Sequence, residues 1–385
     1  MNIVGRGRDV PKLKSIHFQS GIVLAALISA GASKAEEAWP IAEDLGFKFY
    51  GQINQAYTNY DDGQTSRGFF TVDNSTNEDN SFVGIRGGKV TDNGSILAGR
   101  FELRMTDRRS DTTSIQNPAG GGFSIDKQDI MRAEIGYATD GYGTIFFGQG
   151  DMSGNLWSPD YSGTTVISRQ NLGEIAGGMR LLYPDGTVSD RTINESVGSY
   201  DSGRRFRLRY DTPNMAGFTA SASVGREVLI SNDNETYVDL VGKYESENRY
   251  SKYGMSVSII GEGDDVYAGS VAISYLHKPT GLNFTYAGGN STDHRHYYML
   301  KAGIIQNLFS FGSTALAFEW YNNGNWAAEG AEDEIFGVSL VQRVDSQNLE
   351  IYAAMRSYDD YNNLGIANED FQKSNVTAIG VRWMF

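Results

Sequence analysis

The sequence predicts an all-β fold, a sixteen-stranded antiparallel transmembrane β-barrel, on three observations. From Phe47 onward the chain is a succession of segments, each about ten residues long, that alternate apolar and polar side chains. The connections between them alternate between tight turns and long polar loops. The chain also finishes on a strand, Thr377 to Phe385. Phe385, Trp383, Val381, Ile379 and Thr377 share one face of it; Met384, Arg382, Gly380 and Ala378 share the other. A terminus usually frays in water. A strand that stays aromatic to its last residue fits the closing stave of a barrel set between lipid and a lumen.

Composition permits this reading and removes others. The 385 residues include 46 glycines, 22 tyrosines, seven prolines and no cysteine, which excludes disulfides, thiol chemistry and thiolate metal sites. No apolar run reaches the roughly eighteen residues a spanning helix needs, but barrel strands average out to polar and escape that test. At the N-terminus, Arg6, Arg8, Lys12 and Lys14 precede an apolar core from Gly21 to Ser33 and small residues, the pattern of a secretory signal. Residues 1–35 are therefore expected to be a cleavable leader and 36–385 the barrel domain, with Ala30-Gly-Ala32 and Ser33-Lys-Ala35 as candidate cleavage sites. Removing that leader's five basic residues and one acid takes the net charge from −14 to −18. Such an acidic protein is a poor partner for nucleic acid.

The strands justify themselves in order. The first, Phe47–Tyr57, sets Phe47, Phe49 and Ile53 against Lys48, Gln52 and Asn54. The third sets Leu97, Phe101, Leu103 and Met105 against Arg100, Glu102 and Arg104. In the fourth, Ala133, Ile135 and Tyr137 oppose Arg132 and Glu134; in the sixth, Phe206, Leu208 and Tyr210 oppose Arg205, Arg207 and Arg209. The thirteenth sets Leu316, Phe318 and Trp320 against Ala317, Glu319 and Tyr321, and the fifteenth sets Leu349, Ile351, Ala353 and Met355 against Glu350, Tyr352 and Arg356. Charge on one face of nearly every strand costs too much for a packed sandwich core, so that face meets water.

Short turns are expected at Thr91–Gly94, Thr139–Gly141, Pro213–Gly217, Ser246–Asn248, Lys278–Gly281, Gln306–Asn307 and Asp345–Asn348, where Gly, Asn, Asp and Pro supply hairpin chemistry. Long connections are expected at Asn59–Asp79, Asp107–Lys127, Asp151–Ser202, Asn322–Glu332 and Tyr358–Gln372. Counting hairpins gives sixteen strands with both termini on the short-turn side, the layout of a bacterial outer-membrane barrel.

Several stretches resemble the general diffusion porin family of Gram-negative outer membranes. Phe47–Tyr57 is similar to the family's first strand and Phe82–Gly87 to its second. The most specific match is Arg132–Gly148: an arginine, an alternating strand, a glycine turn and a strand ending in glycine before the third loop. Tyr210–Phe218 resembles the turn after the sixth strand, and the terminal phenylalanine resembles the family's assembly signal. One departure is Gln149, where the family usually carries arginine.

The resemblance implies a homotrimer of sixteen-stranded barrels in outer-membrane lipid, reached by export through the periplasm. It also implies a long third loop folded into the lumen, narrowing it between an acidic loop and a basic wall. Alternation places Arg86, Arg100, Arg104, Arg132, Arg205, Arg207 and Arg209 on the water-facing side, as the candidate constriction wall; Arg86 and Arg132 also match the family's pattern residue by residue. Asp151, Asp160 and Glu174 are the candidate acids of the constriction loop, and Val381, Trp383 and Phe385 the signal read by the barrel-assembly machinery. Trp157 and Tyr161 are expected to pack the loop against the wall, and Arg382 to face the lumen beside Lys48. Aromatics at outward strand ends, such as Tyr137 and Tyr210, fit interfacial girdles.

Reactive constellations are missing from the sequence. His294 and His296 flank Arg295, but two histidines without a third ligand make no metal site. No nucleophile elbow, P-loop or dinucleotide fingerprint occurs, so neither enzyme nor cofactor is expected. The leading expectation is passive diffusion of ions and small hydrophilic solutes. A substrate-specific channel, and a structural or adhesion barrel that works through its long loops, are the alternatives.

Overall fold

The computed structural model describes residues 46–71, 81–105, 108–118, 125–155, 158–169, 175–230, 233, 235–263, 266–362 and 370–385. Nineteen strands run in chain order through them. They are β1 (Gly46–Asp61), β2 (Ser66–Thr71), β3 (Phe82–Val90), β4 (Ile96–Arg104), β5 (Ile130–Thr139), β6 (Gly143–Asp151), β7 (Arg180–Leu182), β8 (Val188–Thr192), β9 (Arg204–Asp211) and β10 (Phe218–Arg226). β11 (Thr236–Glu247), β12 (Ser251–Glu262), β13 (Val266–His277), β14 (Leu282–Ser291), β15 (His296–Phe309), β16 (Gly312–Gly324), β17 (Ala331–Val344), β18 (Leu349–Asn362) and β19 (Ser374–Met384) follow. Sixteen of these are staves, each antiparallel to its neighbours, and the sheet closes where β1 pairs with β19 from Gln52↔Met384 to Asp61↔Asn375. β2 extends the first hairpin beside β1, and β7 and β8 form a separate two-stranded ribbon. One four-residue helix, α1 (Ile193–Ser196), follows β8.

The period-two pattern sorts the wall into an exposed apolar face and a buried polar one. Phe47, Phe49, Ile379 and Met355 are 91%, 66%, 64% and 63% exposed, whereas Lys301, Arg356, Glu319 and Arg207 are at most 3% exposed on the opposite face. In a closed barrel the buried face is the inner one.

Closure is built from named contacts. Phe385 and Gly51 exchange both backbone hydrogen bonds at 3.0 Å, so the last residue is paired and not frayed. On the inner side Tyr352 of β18 reaches across β19 to donate to Asn54 Oδ1 of β1 at 2.7 Å. It can do so because residue 380 is glycine: a Cβ there would meet the Tyr352 ring at 2.1 Å.

Several expected connections differ in the structure; β18, for one, continues to Asn362 through the first residues of the connection expected at Tyr358–Gln372. Of the segment expected as a loop from Asn59 to Asp79, the described part is largely paired, since β1 continues to Asp61 and returns as β2 after the turn at 62–65. Ser81 then takes the place of a ladder partner: its Oγ accepts from Asn54 N–H and donates to Asn54 C=O. The turn expected at Gln306–Asn307 lies at Ser310–Phe311, because β15 continues through a register shift between Gln306 and Phe309. The connection after β16 is cut to residues 325–330 by strand pairing that runs out to Gly324↔Glu332.

Candidate functional site

Register builds the charged wall. Directly across neighbouring staves, Lys48 lies opposite Arg86, Arg86 opposite Arg100, Arg100 opposite Glu134, Glu134 opposite Gly148, and Gly148 opposite Arg207. Three cations in succession are therefore followed by one fully buried carboxylate, and Glu134 bonds both the Arg100 and the Arg207 guanidinium groups. Gly150 leaves the room for this: a Cβ there would come within 2.4 Å of Glu134 Oε2 and 2.9 Å of Arg207 Nη2.

Asp151, at the end of β6, is the second hub. Arg132 grips it through Nε at 2.9 Å and Nη2 at 2.7 Å, Arg204 Nε reaches it at 3.1 Å, and Arg100 Nη2 lies 3.6 Å away. Arg132 also bonds Glu102, whose other oxygen accepts from the Tyr50 hydroxyl at 2.5 Å. Arg86 stands over the Tyr50 ring at 4.9 Å, a favourable place for a guanidinium. Arg209 pairs with Asp211 at 2.8 and 2.9 Å, and Arg205 lies 3.6 Å from Glu227 and 4.0 Å over the Tyr237 ring. Arg104 stands apart with Asp129 at 3.7 Å.

Asp160 is elsewhere. It bonds Lys301 Nζ of β15 at 2.7 Å. Lys301 lies across from Glu319, and Glu319 from Gly337, whose missing side chain lets Arg356 of β18 reach Glu319 at 3.1 Å. Ser168 and Ser339 donate to the same carboxylate at 2.5 and 2.8 Å. Burial alone would raise the Asp160 carboxyl, but the Lys301 ammonium and hydrogen bonds from Ser162 hold it below the usual carboxylate range.

The residues between β6 and β9 bond to polar-face groups around much of the barrel. Ser153 N–H donates to Ser223 Oγ, Gly154 N–H to Asp239, and Tyr161 N–H to Ser274 Oγ, at 2.7 to 3.0 Å. In the other direction, the Tyr60, Tyr358 and Tyr321 hydroxyls donate to the carbonyls of Arg180, Ile175 and Gly198, and Asn323 donates to that of Ser196. Burial and the Glu245 carboxylate it donates to push the Tyr161 phenol well up; burial pushes Tyr200 up to about 12.

Of the expected site residues, the structure thus gathers Arg86, Arg100, Arg132, Arg207 and Arg209 with Asp151 in one network and places Asp160 in another. Glu174 and Trp157 lie outside the described residues, as does the expected leader. Arg382 is inward but lies opposite Asn54, not beside Lys48, and bonds Glu350 at 2.5 Å. Val381, Trp383 and Phe385 are on the exposed face, with the last two rings 5.1 Å apart. Sequence reasoning did not select Arg204, Lys301, Glu319 or Arg356 as site residues. Alternation puts Glu319 and Arg356 on the polar face, but only register shows that they meet.

The model of the Gram-negative porin family matches residues 21–382. The chain belongs to the Gram-negative porin family. No curated protein matches this porin in sequence. Solved structures agree with it in fold. An anion-selective porin from Comamonas acidovorans aligns with a TM-score of 0.56 at 12% identity, covering 88% of this chain and 99% of that one. Salmonella typhi OmpF in complex with daunomycin gives 0.54 at 14%, covering 88% and 97%. In-vitro folded OmpT of Vibrio cholerae, in its trimer form, gives 0.51 at 12%, covering 89% and 100%. The family and the closed barrel make this porin an outer-membrane diffusion channel.

Proposed function

We propose that this porin passes ions and small hydrophilic solutes passively, and that the connection between β6 and β9 folds into the lumen to narrow it against the arginine wall. The observation that carries this reading is the set of hydrogen bonds from residues 153–198 to polar-face side chains of β1, β10, β11, β13, β16 and β18. A segment bonded to opposite parts of an inner wall crosses the space between them. The two described acids proposed for that connection are committed to ion pairs with the wall, and Lys48, Arg86 and Arg100 place three cations in one register row, Arg100 bonded in turn to Glu134. A field of that sign favours anions.

The same reading includes a leader removed at export through the periplasm, recognition of Val381, Trp383 and Phe385 by the barrel-assembly machinery, and a homotrimer in outer-membrane lipid. The trimer form of the Vibrio cholerae relative has the same fold.

Single-channel recording in a planar bilayer tests it. Purified protein is expected to give ohmic steps, an anion-selective reversal potential in a salt gradient, and a lower anion-to-cation permeability ratio in Arg86→Ala and Arg209→Ala. Absence of conductance would leave a structural or adhesion barrel. Block of the current by one solute class would make the channel substrate-specific. An unchanged ratio in both variants would remove the arginine wall from the selectivity filter.

A further inference from the structure

Away from the arginine wall, Asn323 of β16, Asp333 of β17 and Asp360 of β18 stand in one register row on the polar face. They are 0%, 3% and 5% exposed. Like charges directly opposite on neighbouring strands destabilise a sheet, and burial without a counter-charge adds to the cost. Among the described residues neither aspartate makes an ion pair. Arg191, close enough for its charge to reach both, lies over the Phe371 ring at 5.0 Å instead.

The oxygens around the pair are unmatched as well. Asn323 Nδ2 donates to Asp333 Oδ2 at 2.7 Å and to the Ser196 carbonyl at 2.8 Å, which fixes the amide and leaves its Oδ1 buried with no donor. Asp333 Oδ1 is likewise buried without a partner, and Ser196, fully buried, presents its hydroxyl to the Asp360 carboxylate. Four residues thus bring oxygen atoms together around two carboxyl groups that, among the described residues, have no cation paired to either, and the Asn323 Oδ1 and Asp333 Oδ1 oxygens have no donor.

We propose that this row is the binding site of one hard divalent cation, calcium in the first instance. A proton shared between the carboxylates would supply one donor between them and leave Asn323 Oδ1 as it is. Calcium accepts about six to eight oxygen ligands in irregular geometry, from carboxylates, amide carbonyls, hydroxyls and water alike. Magnesium demands a stricter octahedron and keeps more of its water. Because Ser196 ends α1, in the connection between β6 and β9, the ion would clamp that connection to the wall beside the Tyr321–Gly198 hydrogen bond.

The test uses the full chain folded in detergent, stripped with a chelator and titrated with calcium chloride by calorimetry, with heat unfolding in parallel. Wild type is expected to show one saturable site per chain and a higher unfolding midpoint with calcium, which sodium at equal ionic strength does not reproduce. Asp333→Asn/Asp360→Asn is expected to lose that site, its calcium affinity falling by at least about tenfold. Ser196→Ala, a milder change should the double variant not fold, is expected to weaken binding without abolishing it. A wild type with no saturable site would overturn the proposal in favour of a shared proton. So would a site of undiminished affinity in these variants, which would place calcium on the surface acids.

Discussion

The inner wall from β3 to β9 and the inner wall from β15 round to β1 are made of the same kind of strand, and both carry stave-to-stave ion pairs, Arg356–Glu319 and Arg382–Glu350 in the second. They differ in how much they lean on the connection between β6 and β9. In the first, both signs of charge come from the staves themselves: Glu134 serves Arg100 and Arg207, Glu102 serves Arg132, and Asp211 serves Arg209. In the second, Tyr60, Tyr321 and Tyr358 are each at most 1% exposed and donate to backbone carbonyls of the connection between β6 and β9. Remove that connection and the arginine network keeps most of its partners, while these phenols lose the backbone carbonyls they donate to. The first wall is largely self-sufficient; the second is a seat.

The contrast breaks most visibly at Glu134. Glu134→Gln leaves the volume nearly unchanged but takes the shared carboxylate from two arginines, one of them Arg207 at 2% exposure. Removing one partner of a buried network costs roughly 4–5 kcal/mol. Denaturant unfolding in detergent micelles measures it, and the connection's own contacts to β1, β16 and β18 should survive. A loss below about 1 kcal/mol would mean that the arginines are solvated like surface ion pairs and the wall is no network.

Asp160→Asn tests the seat and should cost less, about 3 kcal/mol, because Lys301 keeps the Ser168 carbonyl at 2.9 Å and Glu319 at 3.9 Å. Its pH dependence has a definite sign. The Asp160 carboxyl is held below the carboxylate range in the folded protein. Its stabilisation is therefore complete above the unfolded value near 4 and is lost as pH falls through the lower folded one. Hydrogen exchange of residues 158–169 should be unaffected, beyond its intrinsic rate, from pH 7 to about 5 and should quicken only below about 4. In Asp160→Asn it should be fast already at pH 7. A wild-type transition near pH 6 would assign the docking to another group.

Which residues face inward is legible in this sequence because lipid-facing and lumen-facing positions alternate with a period of two, which no loop interrupts within a stave. Arg205, Arg207 and Arg209 show it, each opposite an exposed Phe206, Leu208 or Tyr210. Register is not legible. It decides that Arg382 meets Glu350, that Arg356 crosses Gly337 to Glu319, and that Asp333 faces Asp360. Each pairing depends on turn lengths and shifts, such as the one between Gln306 and Phe309, that displace a whole strand without altering its pattern. The partners of Asp151 and Asp160 were hidden for the same reason: their charge is local information, whereas Lys301, the cation that pairs with Asp160, lies 141 residues away.

Tyr60→Phe is the smallest break and the most discriminating. The hydroxyl is fully buried, donates to the Arg180 carbonyl at 3.0 Å and lies 3.2 Å from Ser374 Oγ, so its loss removes about one neutral hydrogen bond, roughly 1 kcal/mol. Its value lies in combination with Asp160→Asn. Arg180 and Asp160 are two anchors of one connection, one held by β1 and the other by β15. If each anchor docks its own stretch, the two losses add within about 0.5 kcal/mol, as distant sites do. If the connection is a single strap, releasing one anchor frees the other, and the double variant loses clearly less than the sum. Additivity would make the seat a set of independent clips. Coupling would make it one cooperative lid on the phenolic wall, which the largely self-sufficient arginine wall lacks.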